Sequence, residues 1–138
     1  MAKKLNILLI EDDMIEVMKL NRAITSLDLK HRIIEANNGE EALKILQKKD
    51  ELPDIILLDL NMPKINGIEF LNILKSDDVL KYIPTIILTT SSNQKDLEEC
   101  YKIGIAGYIL KPLKYEEYVT KLQTTLAYWS INELKQVF

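Results

Sequence analysis

Cysteine is almost missing from this sequence: Cys100 stands alone among 138 residues. One thiol forms no internal disulfide and no cysteine-based zinc cage, which fits a reducing cytoplasm. Cys100 itself reads as an ordinary helix residue. An excess of charge of one sign is missing as well, with 18 Lys and Arg against 21 Asp and Glu and a net charge of -3. The basic residues are scattered among the acids without forming a stripe, which argues against nucleic acid as a direct partner. Long hydrophobic runs are also lacking. The opening "MAKKLNILLIEDD" has two lysines and an apolar run, but that run is too short for a signal-peptide core and ends in acids. No stretch suits a transmembrane helix, so no membrane partner is expected. Histidine occurs once, as His31, between the first expected helix and the second expected strand, where it reads as a loop residue. Internal repeats, low-complexity segments and linkers are absent.

What is present suffices for one core. Apolar residues make up 47% of the chain, and the length is that of a single domain. "LNILLI" reads as a first strand, and the segment from Met14 to Leu27 carries Ile15, Met18, Ala23 and Leu27 at roughly helical spacing. "RIIEA" reads as a second strand. In "NNGEEALKILQKK" Asn38 can cap a helix and Glu41 can complete a capping box. "DIILLD", "TIILTT" and "GYILK" supply three more strands, alternating with the helical "NGIEFLNILKS" and "NQKDLEECYKIG". The second of these helices stops at Gly104, a C-terminal cap by residue type. A last helix begins near Tyr115. Strict alternation of strand and helix implies an α/β, doubly wound, parallel sheet with helices on both faces.

In a parallel sheet the residues that follow the strands gather on one edge, however distant in sequence. Here they are the acids of "EDD" after the first strand, Asp59 after "IILL", "TTSS" after the fourth strand and Lys111 after the fifth. Two carboxylates about 4 Å apart repel by roughly 4 kcal/mol at an effective dielectric near 20, so three acids call for a positive partner. A hard divalent cation meets that need, and Mg2+ is commonly held by one or two carboxylates plus a phosphate. Lys111 adds a fixed point charge suited to a phosphoryl group.

The chain resembles a receiver domain of a two-component response regulator, a family typified by the bacterial chemotaxis regulator. The resemblance rests on "LLIEDD", "IILLDLNMPKINGIEFL", "IPTIILTTSS" and "GIAGYILKPL", and it covers residues 5–127. It implies a flavodoxin-like sheet of five strands in order 2-1-3-4-5 flanked by five helices, with residues 128–138 left as a C-terminal helical extension. It implies that Asp59 is the phosphoacceptor, which suits the ability of carboxylates to form aspartyl-phosphate intermediates. Asp12 and Asp59 would be side-chain ligands of Mg2+, Asn61 would give its backbone carbonyl, and Glu11 would act through metal-bound water. Asp13 is read instead as the cap of the helix that starts at Met14. Thr89 matches the switch hydroxyl, Lys111 the lysine that contacts the phosphoryl group, and Tyr108 the aromatic that changes rotamer with the hydroxyl. The family usually has a cis bond before the proline at Pro112, so Lys111–Pro112 is expected to be cis. Pro63 is expected to fix the turn toward Gly67. Asn61 and Ser91 occupy positions that tune phosphoryl lifetime.

With His31 far from the active edge, the resemblance implies an external donor, a histidine kinase or phosphotransfer protein. Receivers catalyse their own phosphorylation and dephosphorylation, but they are signalling proteins more than turnover enzymes. The expected function is therefore a stand-alone, cytoplasmic response regulator whose phosphorylation switches a surface for a downstream protein. Kinase specificity is assigned by analogy to Ile15, Met18, Lys19 and Arg22 on the first helix. The wording around "LDLNMP", "LTTSS" and "YW" is similar to the small regulators paired with bacterial phytochromes. The tail "LAYWSINELKQVF" places Leu122, Leu126 and Trp129 near one helical face. Dimerisation through the last helix and extension, and folding of the tail onto its own domain, both stand open. Three other classes compete. A flavodoxin-type carrier would want a glycine- and hydroxyl-rich cradle where "EDDM" stands. A haloacid-dehalogenase-type phosphatase would want a second acid at Asn61. A phosphorylation-independent scaffold would not require the groups that are all present here.

Overall fold

The computed structural model describes residues 3–48, 51–62 and 64–135. Five strands alternate with five helices: β1 Asn6–Ile10, α1 Met14–Ser26, β2 Arg32–Ala36, α2 Gly39–Gln47, β3 Ile55–Leu58, α3 Gly67–Ser76, β4 Thr85–Thr89, α4 Gln94–Ile103, β5 Gly107–Leu110 and α5 Tyr115–Ser130. All pairings are parallel, in the order β2-β1-β3-β4-β5. The expected topology is thus the observed one. No helix among the described residues is long and apolar enough to cross a membrane.

Strand chemistry follows position in the sheet. β3, at the centre, is buried along its whole length, whereas β5, at one edge, is only half-buried. Alternation along β1 sends Ile7 and Leu9 to one face and Leu8 and Ile10 to the other. The first face packs on α1 and α5 through Val17, Leu20, Ala23, Tyr118, Leu122 and Leu126. The second packs on α2, α3 and α4 through Ala42, Leu46, Phe70, Leu71, Leu74 and Cys100.

Local signals set the helix ends. Asp13 caps α1 by accepting from the Ile15 N–H, as its residue type suggested. Asn38 accepts from the Glu41 N–H at 2.8 Å. The reciprocal capping box is found at α3, where Asn66 accepts from Glu69 N–H and Glu69 from Asn66 N–H. Gly104, with φ of 122°, ends α4 and donates its N–H to the Cys100 carbonyl. Gly67 is required for another reason: a Cβ there would lie 2.6 Å from Leu60 Cα and 2.7 Å from the Asp59 carbonyl oxygen. The start of α3 therefore lies against the backbone that carries Asp59. Pro63, expected to fix this turn, lies outside the described residues.

The structure adds three points to the sequence reading. In α1 the buried face is Val17, Leu20, Ala23 and Ile24, while Ile15 and Met18 are exposed. The chain carries two interleaved apolar stripes there, and only one meets the sheet. At the other end, the helix stops at Ser130, so residues 128–138 are not helical throughout; Ile131 follows as the cap, and residues 136–138 lie outside the described residues. Leu122 and Leu126 are buried and Trp129 packs against the same core, so that face turns onto the chain's own domain. The Ser130 carbonyl accepts the Lys3 N–H at 3.0 Å, which ties the end of α5 to the start of the chain. A short 3-10 helix at Leu80–Tyr82 was not foreseen; Asp77 Oδ1 nucleates it by accepting from the Val79 and Leu80 N–H groups.

Candidate functional site

Backbone hydrogen bonds continue the ladders just past the strands and align their ends. Glu11 N–H donates to Ala36 O, Asp59 N–H to Ile10 O, and Lys111 N–H to Thr89 O. Each residue that follows a strand is thereby held at the same edge of the sheet. Glu11, Asp12 and Asp59 converge there, with carboxylate oxygens all within 4.8 Å of one another. Glu11 and Asp59 are buried and Asp12 is exposed. A partly open set of oxygen donors with this spacing suits a hard divalent cation.

Lys111 enters the same cluster from the end of β5. Its ammonium lies 2.5 Å from Glu11 Oε1 and 3.2 Å from Glu16 Oε1, with its side chain 6% exposed. Burial pushes the Glu11 carboxyl up to about 7 against the hydrogen bond and charge of Lys111, and the charge of Asp59 pushes the same way. Burial favours a neutral Lys111, but the hydrogen bond and charge of Glu11, with the charges of Asp59 and Glu16, outweigh it and raise its pKa. The lysine therefore stays cationic in a site dominated by carboxylates.

Among the described residues no peptide bond is cis, so Lys111–Pro112 is trans and the expectation of a cis bond is corrected. The trans isomer is favoured by about 0.5–1 kcal/mol in X-Pro bonds, and the Lys111 ammonium reaches Glu11 with that bond trans.

Thr89 is fully buried at the end of β4, and its Oγ1 accepts the Ser91 N–H at 3.3 Å. The Tyr108 hydroxyl donates to the Ser91 carbonyl at 2.8 Å, so both residues meet on Ser91. Asn61 is exposed, on the loop between β3 and α3, and lines a cavity of about 200 Å³ with Leu60, Met62, Asn66, Ile68 and Asp96. Lys64 on this loop has φ of 64°, a left-handed conformation uncommon outside glycine.

Two acids beside the site were missed by sequence reasoning. Glu16 sits in the first turn of α1 and reaches Lys111, while its other oxygen pairs with Lys19 at 3.2 Å. Its place in the turn just after the acidic pair was the available signal. Asp96 accepts the Ser91 hydroxyl at 2.8 Å from the first turn of α4. His31, read as a loop residue, accepts the Leu5 N–H on Nδ1 at 3.0 Å and so closes the lower end of β1.

Chemically, the edge offers a buried carboxylate at Asp59, further carboxylates able to share a cation with it, and a buried ammonium. The family profile described as "Response regulator receiver domain" matches residues 7–123. The chain is similar to the probable methanogenesis regulatory protein FilR2 of Methanothrix harundinacea, at 35% identity over 89% of this chain and 82% of that one. It is similar to response regulator Rcp1 of Synechocystis, at 31% identity over 89% of this chain and 87% of that one. The crystal structure of the Mn2+-bound form of Rcp1 superposes with a TM-score of 0.87 at 29% identity, covering 96% and 99% of the two chains. The phosphorylated cyanobacterial phytochrome response regulator RcpA superposes with a TM-score of 0.89 at 30% identity, covering 97% of this chain and all of that one.

Proposed function

Because the chain belongs to the response regulator receiver family, a family of signalling modules, we propose that it takes a phosphoryl group onto Asp59 in a cytoplasmic phosphorelay and thereby switches a protein-binding surface. The donor is a histidine kinase or phosphotransfer protein carrying phosphohistidine. The observation that supports this reading most is the meeting of Asp59, Glu11 and Asp12 within 4.8 Å beside a buried Lys111.

Asp12 and Asp59 would hold Mg2+ through their side chains, Asn61 through its backbone carbonyl and Glu11 through water. Bound there, the ion supplies neutralisation of the charge shared by the Asp59 carboxylate and the incoming phosphoryl oxygens. One Asp59 oxygen forms the new O–P bond as the P–N bond of the donor breaks, and the imidazole departs with its electron pair. Lys111 donates to a phosphoryl oxygen and keeps the product's charge balanced. The added phosphoryl charge draws the Thr89 hydroxyl inward, and Tyr108 follows.

Two surfaces flank these events. Met14, Ile15 and Met18 are exposed on α1, and Leu113 is wholly exposed on the loop after β5. These exposed side chains, on the helix that carries Glu16 and on the loop after Lys111, are the proposed contact for the donor, with Lys19 and Arg22 contributing to its choice. Tyr108, Ile109 and Leu110 of the edge strand form a groove of about 500 Å³ with Thr120, Lys121 and Thr124 of α5, the proposed output surface. A homodimer through α5 and the residues after it would use the exposed Tyr128 and Ile131, since Leu122 and Leu126 are buried.

The test is the chemistry of the bond formed. Labelled acetyl phosphate and Mg2+ should leave a hydroxylamine-labile label, as expected for an acyl phosphate, and Asp59→Asn should carry none. A stable label, or one that persists in Asp59→Asn, would reject Asp59 as the acceptor.

A further inference from the structure

Helix α1 opens with the spacing of a capping box that is not used as one. Asp13 is the cap, accepting from the Ile15 N–H, and the acid three residues on is Glu16. In a capping box that acid reaches back to the N–H of the cap residue. Here the Asp13 N–H donates to Glu11 Oε2 at 3.3 Å instead, which leaves Glu16 free of the helix end. Glu16 Oε1 lies 3.2 Å from the Lys111 ammonium, and Oε2 lies 3.2 Å from the Lys19 ammonium. Lys19 in turn sits 4.5 Å from the centroid of the Tyr118 ring, which is buried on α5. A row of alternating charge thus runs from α5 through Lys19 and Glu16 to Lys111, and the Glu16 side chain is only 19% exposed. The two carboxylate partners of Lys111 differ in one respect. Glu11 belongs to the group of acids, with Asp12 and Asp59, whose oxygens lie within 4.8 Å of one another, and Glu16 stands outside it. Nothing in the phosphoryl-transfer reading uses Glu16.

We propose that Glu16 is a positioning residue for phosphoryl transfer, holding the Lys111 ammonium at the acidic edge when a divalent cation engages Glu11. The proposal rests on Asp59 being the acceptor and on Lys111 serving the phosphoryl group. A cation shared by Glu11, Asp12 and Asp59 draws on the charge that Glu11 offers the ammonium, and it repels the ammonium as a like charge. Glu16 lies outside that group and keeps its charge for Lys111. The first turn of α1 favours an ionised acid at this position. From the other side, Lys19 on the Tyr118 ring braces the same carboxylate. Lys111 is thereby kept within the field of Asp59 rather than turned toward solvent.

The experiment follows the gain of mass from acetyl phosphate at saturating Mg2+ in wild type, Glu16→Gln, Glu16→Ala and Lys19→Met. Both Glu16 variants should slow the gain by roughly three- to tenfold, the effect on a rate of losing one charge-assisted contact to the group that must stay in place. The sign separates positioning from the general field, because loss of a negative charge alone would speed reaction with an anionic donor. Lys19→Met removes only the brace and should slow the gain less than Glu16→Gln does. An unchanged or faster gain in Glu16→Gln, or a larger effect in Lys19→Met, would overturn the proposal. Another readout needs no phosphate. The two Cε protons of Lys111, followed with isotope-labelled lysine and assigned through Lys111→Arg, have separate resonances while the ammonium is held. Mg2+ should leave them separate in wild type and merge them in Glu16→Gln. Separate resonances in Glu16→Gln with Mg2+, or merged ones in wild type, would also overturn it. Failure of the wild type to gain a phosphoryl group would instead reject Asp59 as acceptor, while the Lys111 resonances would still decide whether Glu16 holds the ammonium.

Discussion

At 6% side-chain exposure, Lys111 has two carboxylates as neighbours, Glu11 at 2.5 Å and Glu16 at 3.2 Å. Lys111→Ala would leave both without that cation and Asp59 beside them. Breaking a buried ion pair costs about 3–5 kcal/mol, and the part exposure of Glu16 brings the expected loss nearer 2–4 kcal/mol. Urea unfolding checks it, and a loss under about 0.5 kcal/mol would contradict the pairing. His31 makes a different prediction. Burial lowers its pKa below the usual value of 6.5, and its Nδ1 accepts the Leu5 N–H only when neutral. The folded state therefore resists a proton that the unfolded chain accepts. The stability tied to His31 is present above the unfolded pKa and is lost as pH falls through the lower folded value. Between pH 7.5 and 5.5 the wild type should lose more stability than His31→Gln, and equal losses would count against this hydrogen bond. Asp59, Glu11, Asp12 and Lys111 were legible in the sequence because each lies within two residues of a strand's end, so topology alone brings them together. Glu16, Asp96 and His31 were not, because their partners are fixed only when helices dock on the sheet.

At the level of elements, β3 and α3 are joined so closely that Gly67 has no room for a side chain. Gly67→Ala would set a methyl group 2.6 Å from Leu60 Cα and 2.7 Å from the Asp59 carbonyl, both backbone atoms. The variant should lose about 1–3 kcal/mol of stability, as overpacked sites do, and should also accept phosphate more slowly, since relief of the clash displaces Asp59. Wild-type stability together with a wild-type rate would show the contact to be harmless. The inward face of α5 gives a second contrast. Leu126, fully buried, should cost about 2–5 kcal/mol on truncation to Ala. Tyr128→Ala, at an exposed position, should stay within about 0.5 kcal/mol. Reversed magnitudes in thermal or urea unfolding would mean the face points outward. The strands and helices were readable to within a residue or two at most ends because alternation, caps and Gly104 agree. Spacing alone did not set the inward stripe of α1, because Ile15 and Met18 also recur at helical spacing on the side that meets no sheet. The 3-10 turn was missed because it depends on one aspartate, Asp77, accepting from two N–H groups.

For the whole molecule, the parallel sheet concentrates acid at one end of a chain whose net charge is only -3. Repulsion among Glu11, Asp12 and Asp59 is built into the folded state and absent from the unfolded one. A cation bound only by the folded state stabilises it by about 2.7 kcal/mol at one hundred times its Kd. Millimolar Mg2+ should therefore raise the melting temperature by several degrees, and Asp12→Asn should abolish most of that rise. An equal rise in Asp12→Asn would move the ion elsewhere. The overall topology was legible because strict alternation leaves few arrangements, whereas the path of the tail depended on whether Leu126 and Trp129 would find room on the chain's own core. The most direct test of the central claim is intact mass after incubation with acetyl phosphate, with Mg2+ or with a chelator, for wild type and Asp59→Asn. A gain of one phosphoryl group that needs Mg2+ and vanishes in Asp59→Asn is the expected result. A gain that survives in folded Asp59→Asn, or no gain in folded wild type supplied with either acetyl phosphate or a phosphohistidine donor, would contradict it.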